Sequence, residues 1–314
     1  MGYHSRQLQP VIHKESDIQN FFEKYGPSAR DCYNFCKDDD LERYASDVRS
    51  KVQEMSWDFI TVVLTSHSAD IKAEEGSHRV LLVEPQSEDR TVPRTSIVSK
   101  TVSQLLWERD SVGQWRNHHK LFKTLVRIPR AKAFFGTIFE PPFHELCVRG
   151  ATFTIHPMAR RTGQVNYVFR NDQENDQRRN PKFKTSSKTV KLRAQTRFFF
   201  DDENNRITNL LADHYYQPIA GNYSSYDSFI YDLNSHQISA FQITTEEEHD
   251  LKPKGIVALR ELGQRLQIHD LKIRIIVVIF GGAKVTFKVP TSLIQSVSEV
   301  YALEVTEKQL YPYS

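Results

Sequence analysis

The stretch from Ser225 to Gly255, SYDSFIYDLNSHQISAFQITTEEEHDLKPKG, decides the fold. Tyr226–Tyr231 and Gln237–Thr244 are short runs rich in aromatic and β-branched residues. Asp232-Leu233-Asn234-Ser235 between them has turn chemistry, so the pattern predicts a β-hairpin. Downstream, Lys254–Leu266 carries Ile256, Leu259, Leu262 and Leu266 at helical spacing. Ile273–Phe280 (IRIIVVIF) is an apolar run interrupted only by Arg274, as expected of a strand covered on both faces, and Gly281-Gly282 closes it. A helix crossing from the second hairpin strand to that run makes the two strands parallel neighbours.

Upstream, Ala131–Val148 reads as a helix and Ala151–His156 (ATFTIH) alternates with period two. Residues 171–190 are polar and read as an exposed loop, and Lys191–Phe200 reads as one strand. Thr291–Val297 reads as a short helix and Tyr301–Val305 as a last strand. The order is helix, two or three antiparallel strands, helix, strand. This is an α/β arrangement of the αβββαβ type over residues 129–314, with the boundary at Pro129.

Residues 1–128 read as a smaller, helix-rich lobe. Ser16–Glu23 opens with a Ser N-cap, Pro27-Ser28 starts a helix through Cys36, and Leu41–Met55 follows. Phe59–Leu64 and Val80–Val83 read as short strands, Asp89–Thr95 as a linker, and Ser99–Glu108 and Gln114–Val126 as helices.

The chain has 314 residues, 39% hydrophobic and 26% charged, with a net charge of +3. That composition supports a buried core and excludes a disordered or collagen-like chain. The charge is unevenly placed. Arg160–Arg197 holds eleven Lys or Arg against three Asp or Glu, a local +8, so the remainder carries −5. A basic block on a slightly acidic body is compatible with phosphate contact, and equally with a solvated loop. Cys32, Cys36 and Cys147 form no paired framework, which points to a reducing, intracellular setting in which a nuclear location is also compatible. The first residues lack the apolar core of a signal peptide, and Arg6 stands where a myristoylation signal needs Ser or Thr. The longest apolar run, Ile275–Phe280, falls far short of the about 20 residues a membrane span needs. No phosphate loop of the Gly-x4-Gly-Lys-Ser/Thr kind is present, so ATP is not an expected ligand.

The hairpin can carry chemistry. Metal-dependent phosphodiester cleavage needs oxygen ligands for a divalent ion beside the scissile phosphate, often with a cation that steers the attacking water. Asp227 lies on the first strand. Gln242 and Thr244, two residues apart on the second, share a face, while Phe241 and Ile243 take the other. The bland reading is a capping Asp and an ordinary Gln-x-Thr pair on a half-exposed strand.

The Asp before Ser-Phe-Ile, the Phe-Gln-x-Thr, and the His and basic pair before a glycine resemble the nuclease-like domain of crinkler-type and retrotransposon-hot-spot-type proteins. GTIFEPPFHELCVRGATFTIHPM (Gly136–Met158) is similar to the first helix and strand of the same domain, through Gly136, Phe139, Glu140, His144, Gly150, Phe153 and Met158. The resemblance implies a restriction-endonuclease-like domain of the PD-(D/E)XK class over about residues 130–310. It implies Asp227, Gln242 and Glu140 as metal ligands, Mg²⁺ or Mn²⁺ as the ion, and DNA as the partner. Thr244 takes the position of the class lysine, and His249, Lys252 and Lys254 follow close enough to reach the same pocket. Arg178, Arg179, Lys182, Lys184, Lys188, Lys191, Arg193 and Arg197 are the candidate phosphate contacts. Phe21–Cys32 (FFEKYGPSARDC) is similar to the helical segment ending the nucleotide-hydrolysing domain that precedes such nuclease-like domains, here without its phosphate loop.

The departure from the class pattern is Gln242-Ile243-Thr244 in place of Glu-x-Lys. An amide brings no charge to a metal and a hydroxyl cannot replace an ammonium, so either Lys252 or Lys254 supplies the cation or hydrolysis is lost. A DNA-cleaving enzyme and a silent nucleic-acid- or protein-binding module both remain open. Two other features carry less. His118-His119 reads as part of a solvated helix face, and Glu246-Glu247-Glu248 as the acidic start of a helix.

Overall fold

The computed structural model describes residues 13–65, 78–85, 93–109, 115–126, 132–160, 166–169, 187–200, 206–219, 225–282 and 284–312. Helices α1 (Glu15–Tyr25), α2 (Ala29–Phe35), α3 (Asp38–Glu54) and α4 (Trp57–Thr65) open the chain. A two-stranded antiparallel ribbon, β1 (Leu81–Pro85) and β2 (Pro93–Ile97), precedes α5 (Lys100–Arg109), α6 (Trp115–Val126) and α7 (Lys132–Arg149). The strand expected at Phe59–Leu64 is helical instead. Ser56 accepts from the Phe59 N–H through its hydroxyl (3.1 Å), and Ile60 and Val63, three apart, are buried together. The cap and the packing override the strand preference of the β-branched run. The expected linker at 89–95 ends in strand β2, and residues 89–92 lie outside the described residues.

The remaining strands are β3 (Thr152–Pro157), β4 (Ala159–Arg160), β5 (Asn166–Phe169), β6 (Lys188–Lys191), β7 (Thr196–Phe200), β8 (His214–Pro218), β9 (Ser228–Asp232), β10 (Gln237–Ile243), β11 (Glu248–Asp250), β12 (Lys272–Phe280), β13 (Val285–Lys288) and β14 (Glu299–Val305). Helix α8 (Pro253–Arg265) links β11 to β12, and α9 (Glu307–Leu310) follows β14. Eight strands form one mixed sheet in the order β6-β3-β14-β12-β10-β9-β8-β7. The expected hairpin is present, with β9 and β10 antiparallel, and β10 runs parallel to β12 across α8.

The strand expected at Lys191–Phe200 is confined to β7 (Thr196–Phe200). Lys191 instead ends β6, whose residues 188–190 fall in the loop expected over 171–190, and residues 171–186 lie outside the described residues. Strands β6 and β7 stand at opposite ends of this sheet. Seven inter-strand spacings would separate them by roughly 34 Å if the sheet were flat. The five residue steps from Lys191 to Thr196 reach at most roughly 18 Å. The sheet must therefore curl until its edges approach, and the connecting backbone is held in place as it does so. Leu192 N–H donates to Ala151 O and Gln195 N–H to Val148 O, both at 2.8 Å. Gly150, at φ +88°, permits this crossing, because a Cβ there would lie 2.8 Å from the Ala194 nitrogen and the Arg193 carbonyl carbon.

Side-chain alternation divides the core between two faces. Phe241 and Ile243 of β10 join α7 and the N-terminal helices, while Ile238 and Ala240 join α8 through Ile256 and Leu259. Helix α7 lies against the first face. Its Phe143 meets Phe153 of β3 and Phe241 of β10, and its Phe139 meets Phe280 of β12. A smaller sheet, β11-β13-β5-β4, packs with the second face through Phe169 and Phe287. The acids Glu246–Glu248 lead into β11 rather than starting a helix. The helix expected at Thr291–Val297 is a single 3₁₀ turn, Thr291–Leu293.

His118 and His119 are buried, not solvated. His118 sits edge-on between Trp57 and Trp107, with Nδ1 2.7 Å from the Tyr311 hydroxyl. His119 stacks on Tyr311 and its Nε2 lies 2.6 Å from Glu307 Oε1. Together they fasten α6 to the C-terminal segment, a role invisible locally because both partners lie far along the chain.

Burial, reinforced by the neighbouring His119, pushes the His118 pKa down to about 3. The unfolded chain then binds the proton more readily than the folded one as pH falls below about 6.5. Stability should fall with pH in that window, by up to about 1.4 kcal/mol per pH unit from this group. Between pH 7.5 and 5, urea unfolding should show wild type losing about 2 kcal/mol more than His118→Gln. Equal losses would contradict the buried neutral imidazole.

Candidate phosphate-facing site at Asp227

Asp227 extends the β9 ladder by one residue. Its N–H donates to Phe241 O (2.8 Å), next to the registered pair Ser228–Phe241, so Asp227 stands opposite Gln242 on the α8 face. Both are buried, at 6% and 7% exposure. Asp227 Oδ2 accepts from Ile243 N–H at 2.7 Å and from Gln242 Nε2 at 3.1 Å. The Gln242 amide nitrogen also lies 3.5 Å from Ile243 O. With the amide turned this way, Gln242 Oε1 is buried without a hydrogen-bond partner among the described residues.

Strand β11 brings His249 to the same neighbourhood. Its ring stacks on Phe287, with centroids 5.9 Å apart and planes at 7°. Burial lowers its pKa, partly opposed by the negative charges of Asp227, Glu246 and Asp250, so the imidazole is neutral at neutral pH. Its Nε2 is buried with no hydrogen-bond partner among the described residues. Lys252 is near enough for its charge also to depress that pKa.

The N-terminus of α8 is tied against the Asp227 segment. Ser225 Oγ donates to Lys252 O and accepts from Gly255 N–H at 3.1 Å. The approach requires glycine at 255, because a Cβ there would lie 2.6 Å from both Cβ and Oγ of Ser225. Lys252 and Lys254, both exposed, flank Pro253 at the start of this helix. The helix end, with its partial positive charge and two exposed lysines, is thus held against Ser225, two residues before Asp227.

The other expected members are placed differently. Thr244 continues the ladder through its N–H to Val278 O (3.0 Å), which keeps it on the Gln242 face, but its hydroxyl accepts from Glu246 N–H at 3.1 Å. Glu140 lies across the sheet from Asp227. His144 Nε2 is 3.4 Å from Glu140 Oε1, His144 Nδ1 is 2.6 Å from Tyr215 Oη, and that hydroxyl lies 2.5 Å from Ser228 Oγ. Ser228 and Asp227 are successive strand residues and point to opposite faces. Of the basic block, Lys188 pairs with Glu299 and Arg197 with Glu145, each at 2.8 Å, while Lys191 and Arg193 are exposed. Arg178, Arg179, Lys182 and Lys184 lie outside the described residues.

Sequence reasoning missed Ser225, Tyr215 and the role of Gly255. Only Gly255 left a signal, as a glycine in the first turn of a helix, where it costs helix stability unless something must approach closely.

The potential donors here are the Asp227 carboxylate and the Gln242 amide, which are in contact, and the neutral His249 imidazole, which is near enough to feel the Asp227 charge. Among the described residues, no group of three or more His, Cys, Asp and Glu could hold a metal ion. Mg²⁺ demands octahedral oxygen ligands and is held through carboxylates, so this set does not fit a tightly bound Mg²⁺. No described helix is long and apolar enough to cross a membrane. Comparison with known proteins gave no match to a family model, a curated protein or a solved structure.

Replacing Asp227 with Ala would leave the buried Ile243 N–H without its acceptor. The variant should lose about 1–3 kcal/mol in urea unfolding. An unchanged midpoint would mean that the carboxylate does not hold this strand end.

Proposed function

We propose that residues 129–314 form a restriction-endonuclease-like domain of the crinkler and retrotransposon-hot-spot kind that binds DNA through its phosphates and does not cut it efficiently. Support for the class comes from the order α7, β9, β10, α8, β12, from the parallel β10–β12 pair, and from the Asp227–Gln242 pairing at the hairpin. The observation that carries the function is the α8 N-terminus, bearing the exposed Lys252 and Lys254 and fixed to Ser225, two residues before Asp227. Pro253 has no N–H and the Gly255 N–H is taken by Ser225, so a phosphate here would be met by the Lys254 N–H, the helix dipole and two ammoniums. Weak hydrolysis follows from the side chains beside it. Gln242 adds no charge, the Thr244 hydroxyl is engaged by Glu246, and Glu140 is on the far face.

A second reading, Mg²⁺- or Mn²⁺-dependent hydrolysis, is favoured by one observation. Gln242 Oε1 and His249 Nε2 are both buried and unpartnered among the described residues, near one carboxylate. Amide and imidazole donors suit Mn²⁺ better than Mg²⁺.

Fluorescence anisotropy with a DNA duplex should give an affinity that falls steeply with salt. Lys252→Ala and Lys254→Ala should each flatten the slope of log affinity against log salt by roughly 0.9. In a plasmid assay with Mg²⁺ or Mn²⁺ against a chelator control, wild type should leave the plasmid intact, and the pair Gln242→Glu with Thr244→Lys should gain nicking. Cleavage by wild type that Asp227→Asn abolishes would replace the binding reading with the hydrolytic one. Absence of salt-dependent binding would remove both and leave a protein-binding role.

A further inference from the structure

After β14 the chain leaves the sheet. The last registered pair is Val305 with Phe280, and residues 306–311 then lie against α6 as a short strap built on α9. The backbone hydrogen bonds seen in the strap close within it. Leu310 N–H donates to Thr306 O at 3.2 Å and Tyr311 N–H to Glu307 O at 2.9 Å, while Thr306 and Gln309 form a capping box. The strap is seated through its side chains, so it can lift while the ladders of the sheet stay whole.

Those side chains converge on one imidazole. The Tyr311 ring stacks on His119, with centroids 4.5 Å apart and planes at 22°, and meets Phe122 edge-on at 5.1 Å. Its hydroxyl lies 2.7 Å from Nδ1 of His118, which is only 1% exposed. The other walls around His118 are indoles, Trp57 of α4 at 5.9 Å and Trp107 of α5 at 4.4 Å. The charged groups nearby are engaged elsewhere. The Arg109 guanidinium lies over the Trp57 ring at 4.6 Å and donates to Val52 O and Met55 O. Glu307 Oε1 is 2.6 Å from His119 Nε2 and 3.2 Å from Lys123 Nζ. Among the described residues no carboxylate pairs with His118, so a proton there would be a buried charge without a counter-ion.

We propose that this strap is acid-released: it is seated while His118 is neutral and lifts from α6 when His118 takes up a proton. Burial keeps the Tyr311 hydroxyl protonated, so it can donate to the neutral ring. Tyr311 is also the one wall of the His118 cage carried by the strap, and its departure opens the ring to water. The lifted state therefore takes the proton in the ordinary imidazole range, and the seated state does not, so seating weakens as pH falls below about 6.5. Glu307 acts in the same direction. Burial opposes its ionisation, but hydrogen bonds from His119 and Lys123 outweigh this and hold its carboxyl below the usual range. Below about pH 4.3 the strap loses that tie as well. The strap is separate from the Asp227 site, so the proposal stands or falls independently of DNA binding.

Hydrogen exchange on the full chain, read by mass spectrometry and corrected for the intrinsic pH dependence of exchange, tests this. Protection of residues 306–311 should fall about thirtyfold between pH 7.5 and 5, one proton's worth of linkage. Strand β12 should stay far better protected than the strap at both pH values. In His118→Gln the strap should change by no more than about twofold over the same range. In wild type, the His118 ring followed by NMR should not titrate between pH 7.5 and 5, which serves in place of the variant if His118→Gln does not fold. Strap and β12 losing protection in step, strap protection indifferent to pH, a thirtyfold loss that persists in His118→Gln, or a His118 ring titrating near pH 6.5 in the seated protein would each overturn the proposal.

Discussion

The Asp227 carboxylate does for strand β10 what the backbone of β9 stops doing. The β9 ladder reaches Asp227, whose N–H meets Phe241 O, and there the chain leaves the sheet. Ile243 N–H would then face the departing edge without an acceptor, in a strand whose every residue is buried. A backbone donor stranded in such a place costs about 1–3 kcal/mol. Oδ2 of Asp227 takes that donor at 2.7 Å and gathers the Gln242 amide at 3.1 Å. One charged side chain thus ends the hairpin cleanly and sets the geometry of the residues around it.

Much of the second face follows from that ending. Because the chain before Asp227 turns toward α8, Ser225 can hold the helix N-terminus, and because residue 255 is glycine nothing keeps the two apart. The parallel β10–β12 pair then buries the apolar run Ile275–Ile279 between α7 on one side and α8 on the other. The same alternation that gives Phe241 and Ile243 to the first face gives Gln242 and Asp227 to the second. It also puts Glu140, with His144 and Tyr215, on the first face, away from Asp227.

The hairpin, the helix after it and the doubly covered strand were legible because each is a strong local pattern: a turn between two β-rich runs, an apolar stripe, and an unbroken apolar stretch. Strand β8 was not. HYYQP mixes His, Gln and Pro with its tyrosines, and its place beside β9 depends on Tyr215 and Tyr216 facing different cores. The break between β6 and β7 was hidden for a related reason, since both halves favour strand and only closure of the sheet forces the bend. At the site, the paired positions of Asp227 and Gln242 could be read from spacing, whereas the separation of Glu140 could not, because nothing local tells which face of a sheet a distant helix will cover. His118 and His119 looked solvated for want of any local clue to Tyr311 and Glu307.

The proposed DNA binding requires the α8 N-terminus and the Asp227–Gln242 pair to act as one phosphate-contacting site. The most direct measurement is an NMR titration of the full chain with a short DNA duplex at low salt, following backbone and side-chain amides. Shifts are expected in the Gln242 side-chain NH₂, in Ile243 N–H and across Lys252–Ile256. Saturating DNA binding that shifts Lys191 and Arg193 while leaving Gln242, Ile243 and the start of α8 unchanged would contradict it.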